Sequence, residues 1–68
     1  MTVKELLVCC DNRIRSEEFN ICIVAVGRST VFNDTYCKLY EEAKALFNCA
    51  VERFSISYGE MIILVRSI

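Results

Sequence analysis

Arg53 and Arg66 bracket an apolar stretch near the C-terminus, Arg28-Ser29-Thr30 follows a glycine, and Cys9, Cys10, Cys22, Cys37 and Cys49 are spread along the chain. Each grouping has a chemistry it could perform. Opposed guanidinium forks take a carboxylate or a phosphate in bidentate fashion. A glycine-led run of donors can cradle a phosphate, and thiolates can hold zinc. What is missing narrows the choice. The chain has no histidine, the side chain most often poised as acid or base near neutral pH, and no catalytic signature. The expectation is a non-catalytic binding protein without a cofactor.

The cysteines do not form a metal or disulfide pattern. A zinc site needs about four ligands, usually drawn from close pairs, and here only Cys9 and Cys10 are close, pointing about 100° apart on a helix. Five is an odd number, and the opening Met-Thr-Val-Lys-Glu-Leu-Leu lacks the basic and long apolar regions of an export signal. Reduced thiols in a bacterial cytoplasm, buried as small hydrophobes, are expected. The segment Val26-Gly27-Arg28-Ser29-Thr30 has one glycine, no lysine, and an extended segment after it, so it reads as a turn. If a nucleotide binds, Arg28, Ser29 and Thr30 are its first donors.

The arginines near the C-terminus carry the sharper expectation. With Gly59-Glu60 as the central pair of a hairpin turn, Tyr58 faces Met61, Ser57 faces Ile62, Ser55 faces Leu64, and Arg53 faces Arg66. Two cations opposed on one sheet face repel each other and gain a purpose if an anion comes between them. Ile62 and Leu64 lie on the same face, with Val24, Val26 and Ile68. One helix covers one side of a small sheet, so part of this apolar patch stays exposed as a surface for self-association or a partner protein.

Charge and length bound the rest. Eight basic and nine acidic residues leave a net charge of −1, without the excess of one sign that direct nucleic-acid binding leaves in a sequence. The longest apolar run, Ile21 to Val26, falls short of the roughly 20 residues a membrane span needs. At 68 residues the chain is read as one domain, 1–68, small enough that oligomerisation would add useful stability.

The positioning elements follow from periodicity. Thr2 and Glu5 make a capping box for a helix from Val3 to Cys10, closed by Asp11-Asn12. Arg13 to Glu18 is a loop or short edge strand. Phe19 to Val26 is a strand apolar on both faces, and Thr30 to Phe32 a brief second one. Asn33 or Asp34 caps a long helix from Tyr36 to Ala50, whose stripe is Tyr36, Leu39, Tyr40, Ala43, Leu46, Phe47 and Ala50. Phe54 to Tyr58 and Met61 to Val65 form a hairpin. The fold class is α+β, a three- or four-stranded sheet on one long helix with a short N-terminal helix, in the order α-β-(β)-α-β-β. Phe19, Ile21, Ile23, Leu39, Ala43, Leu46, Phe47, Phe54, Ile56, Ile63 and Val65 are the expected core. A right-handed crossover from the Phe19 strand to Val51 follows if those strands are parallel.

Met1-Thr2-Val3-Lys4-Glu5-Leu6-Leu7, Cys10-Asp11-Asn12-Arg13-Ile14 and the strand Ile62-Ile63-Leu64-Val65 resemble small uncharacterised proteins of gut Firmicutes and their phages. The Tyr36 to Ala50 segment is longer than theirs, and no functional residue carries over. The resemblance implies an anti-defence inhibitor, like an anti-CRISPR protein, that occludes a host protein. Alternatives are an oligomeric sponge for a signalling nucleotide, with arginines on the phosphates and tyrosines on the base, and a small transcriptional accessory protein.

Overall fold

The computed structural model of the protein describes residues 1–10, 12–27 and 29–66. The capping box forms as its spacing predicts: the Glu5 N–H donates to Thr2 Oγ1 at 3.2 Å, and the Thr2 N–H donates to Glu5 Oε1 at 2.8 Å. Amides left without a partner at a helix start are thereby satisfied. The bond from the Thr2 backbone also holds the Glu5 carboxyl below its ordinary value. Helix α1 spans Val3–Cys9 and buries Val3, Leu6 and Leu7. It ends differently from the expectation. Cys10 leaves the helix extended, with φ −85° and ψ 162°, and no described residue other than glycine has a positive φ. Asn12 instead opens a 3-10 turn, Asn12–Arg15, where a loop or strand was expected, and this turn drives Ile14 into the core. Asp11 lies outside the described residues.

Strand β1 is Asn20–Ala25 and β2 is Thr30–Asp34. Because β2 runs two residues past Phe32, Asp34 is still in the strand and the cap falls to Thr35. Its hydroxyl accepts from the Lys38 N–H at 3.4 Å and starts α2, Tyr36–Glu42. The predicted long helix is not continuous. At Ala43, with φ −135° and ψ 37°, it gives way to a second 3-10 turn, Lys44–Asn48. Helix propensities differ by only about 0.7 kcal/mol per ordinary residue, whereas burying a Leu or Phe side chain contributes roughly 1.5–3 kcal/mol. The turn packs against α1 and buries both Leu46 and Phe47, so packing overrides the helical preference. On the outer surface Lys38 pairs with Glu42 at 3.4 Å.

Strands β3, Val51–Ser57, and β4, Glu60–Val65, complete a four-stranded sheet in the order β2-β1-β4-β3. The element order therefore differs from expectation by the two 3-10 turns. β4 enters between β1 and β3, parallel to β1 and antiparallel to β3. The Val51 strand is thus antiparallel to the Phe19 strand and is not its neighbour, so the expected crossover between them does not occur; the parallel neighbour is β4. The hairpin turns at Tyr58-Gly59, with Gly59 at φ 75°. A positive φ at the second central residue favours glycine there. The turn is one residue earlier than predicted, and the register moves by two.

The core is one cluster on one side of the sheet. Ile21, Ile23 and Ala25 of β1 and Met61, Ile63 and Val65 of β4 meet Val3, Leu6, Leu7, Ile14, Leu39, Leu46 and Phe47. Alternation along each strand sends every second side chain into it. Phe19 and Ala43 are partly buried against it. Phe54 and Ile56, expected inside, are 44% and 57% exposed. They sit opposite Ile63 and Met61, hence on the covered side, but β3 is an edge strand that the helical layer does not reach. The cysteines are not buried either: Cys9 and Cys37 are exposed, and Cys10, Cys22 and Cys49 half-buried. No described helix is long and apolar enough to cross a membrane.

Candidate functional site

The side chains that alternation sends away from the core form the second face of the sheet. Register arranges them in rows. Thr30 pairs with Val24, Val24 with Leu64, and Leu64 with Arg53. In the next row Asn33, Cys22, Ile62 and Ser55 stand side by side, followed by Asn20, Glu60 and Ser57. Cys22, Val24, Ile62 and Leu64 belong neither to the core cluster nor to the hydrophobics packed on it. Ile62 is 39% exposed. The expectation that one layer of helices leaves this face open therefore holds, and α1 contributes its apolar residues to the other side.

The two ends of the face differ in chemistry. Asn20 donates through Nδ2 to Asn33 Oδ1, and to Glu60 Oε2 at 3.3 Å. This polar bridge across β2, β1 and β4 fixes three side chains at one end. Arg53 stands exposed at the opposite corner, beside Leu64. The middle is apolar.

Of the predicted site residues, Arg53, Ile62, Leu64 and Thr30 come together on these rows. Thr30 and Arg53 are the two ends of one row, three strand spacings or about 14 Å apart. Arg66 does not face Arg53. The shifted register puts Leu64 there, and the Arg66 Nε donates to Glu52 Oε2 at 2.8 Å. The two-pronged anion site is therefore replaced by one exposed arginine and one arginine–glutamate pair. Ser29 is exposed before β2; Arg28 and Ile68 lie outside the described residues. Val26 is 48% exposed, just beyond β1. Cys22 shares the strand face of Val24, as its spacing predicts, but is not among the predicted site residues; Asn20 was missed although its even spacing with Cys22 and Val24 carried the signal, and Asn33 joins the face only through the pairing of β2 with β1.

A concavity lies between the first 3-10 turn and the hairpin tip. It is a groove of about 670 Å³ with Cys10, Ile14, Phe19 and Ile56 among its lining residues. Burial, and secondarily Cys9, pushes the Cys10 thiol up from its ordinary pKa, so this thiol is less nucleophilic than an ordinary one. The groove exists because β3 overhangs the helical layer. Comparison of the chain with protein-family models, with curated proteins and with solved structures gives no match.

Proposed function

We propose that the protein acts without catalysis, as a module that covers a partner protein with the open face of its sheet. The observation that carries this reading is the pair of apolar rows outside the core, Val24–Leu64 and Cys22–Ile62, set between a polar bridge and Arg53. An apolar centre with a polar rim is the anatomy of a protein interface. Arg53, exposed and adjacent to the apolar centre, supplies a fork for a partner carboxylate. The resemblance of the opening and closing segments to small phage-associated proteins supports a host defence protein as the partner, inhibited by occlusion.

Ile62→Asp tests the reading, because the side chain is already partly exposed and a charge there stays in reach of water in the free protein. A carboxylate buried unpaired at an interface costs several kcal/mol. In a pull-down from bacterial lysate, the parent should retain a stoichiometric protein that Ile62→Asp and Leu64→Asp both lose, with melting of the Ile62 variant unchanged. Retention of the same protein by both variants would overturn the assignment to this face. Raised absorbance at 260 nm in the purified parent would favour the nucleotide sponge instead.

A further inference from the structure

The two edges of the sheet, β2 and β3, are finished differently. β2 ends in Asn33 and Asp34, and its Val31 and Phe32 are half-buried. β3 is closed only at its start. There the Met1 carbonyl accepts from the Val51 N–H at 2.8 Å, Thr2 bridges to Ala50, and the register shifts between Val51 and Arg53. From Phe54 to Ser57 no described strand lies along the outer side. This stretch holds no charge and no proline, and its Phe54 and Ile56 are exposed. Edge strands that stay single are guarded by lysine, proline, a bulge or a covering element. The open part of β3 has none of these.

We propose that the Phe54–Ser57 edge pairs antiparallel with the same edge of a second copy, joining two four-stranded sheets into one across a two-fold axis. The sequence of β3 is complementary to itself. Centred on Ser55, the pairing sets Phe54 against Ile56 of the second copy, an aromatic and β-branched cross-strand pair of the favourable kind. Arg53 meets Ser57 and Glu52 meets Tyr58 of the second copy, so no like charges are opposed. A two-fold axis requires this self-complementarity of any isologous interface. Phe54 of the second copy comes to the rim of the groove under Ile56. The inference does not rest on the open-face reading, although the two share Arg53, Ser55 and Ser57 at the border of that face: the dimer is held by the backbone edge and by Phe54 and Ile56, the open face by Ile62 and Leu64.

The test uses the whole chain. Light scattering should give the parent twice its 7.8 kDa mass, and hydrogen exchange at Phe54–Ser57 should slow as concentration rises. Ser55→Lys, at an exposed polar position, places two lysines on the axis and should weaken the dimer at least tenfold without changing the circular dichroism spectrum. Mixing Ser55→Lys with Ser55→Glu should restore the double mass. Ile62→Asp should remain a dimer. A parent of single mass at every concentration would overturn the proposal. So would a dimer that Ser55→Lys leaves intact, or one that Ile62→Asp dissociates.

Discussion

Ile62 and Ile63 are chemically identical neighbours on β4, and they point to opposite sides of the sheet. Ile63 is fully buried, between Ile23 of β1 and Phe54 of β3, under the helical layer; Ile62 is 39% exposed, between Cys22 and Ser55. The comparison extends to the whole sheet. On one side Met61, Ile63 and Val65 line up with Ile21, Ile23 and Ala25 at full burial. On the other, residues just as apolar have no helix against them. Hydrophobic content therefore does not separate the two faces. What separates them is that α1, α2 and the two 3-10 turns are together enough to cover one face only, and this leaves the second without a helical cover.

The largest expected effect tests that contrast directly. Ile63→Ala should cost about 2–5 kcal/mol, as deletions of fully buried aliphatic side chains do. A domain of this size has roughly 3–10 kcal/mol of stability in all, so the variant should be marginal. Ile62→Ala should cost less than about 1 kcal/mol. Urea unfolding of the two variants measures both. Equal losses would mean that Ile62 is buried in solution, and repeating the measurement at a lower protein concentration would tell whether association covers it.

The same pair explains how far the sequence could be read. Short apolar runs bounded by turn residues, Ile21–Val26 and Met61–Val65, identified both strands, and Thr2 with Glu5 identified α1, because these signals are local. Strands apolar on both faces beside helices enough for one side also implied an open second face. The turn was misplaced by one residue, since Tyr58-Gly59 and Gly59-Glu60 both offer glycine to a turn; that single residue moved Arg53 from Arg66 to Leu64. Phe54 and Ile56 have the right phase for the core, yet their burial depends on strand order, which places β4 inside and β3 outside. Ala43 interrupts a stripe with good helical spacing because Leu46 and Phe47 find burial against α1 only after the chain turns. Non-local packing decided each of these cases.

A smaller effect sharpens the comparison from the covered side, whose cover depends on α1 holding its place. Two backbone bonds tie its start to the sheet region, Val3 N–H to the Cys49 carbonyl at 3.0 Å and Val51 N–H to the Met1 carbonyl at 2.8 Å. The capping box fixes the residues between them. Thr2→Ala removes the acceptor for the Glu5 amide and should destabilise the protein by about 1 kcal/mol, within the 0.5–2 kcal/mol range of N-cap losses, at neutral pH. The Glu5 half of the box should depend on pH. Hydrogen bonds from Thr2, the backbone one first, lower the Glu5 pKa in the folded protein, so the folded state favours the carboxylate. That contribution is complete above the ordinary glutamate value and disappears as pH falls through the depressed folded value. Glu5→Gln removes the charge, whereas Thr2→Ala keeps the backbone N–H that the carboxylate accepts from. The gap between parent and Glu5→Gln should therefore narrow towards about pH 2, where an ordinary glutamate is protonated, and the gap between parent and Thr2→Ala should change less. Urea midpoints of the three proteins across this range measure both gaps. A gap between parent and Glu5→Gln independent of pH would show that the Glu5 charge does nothing for α1.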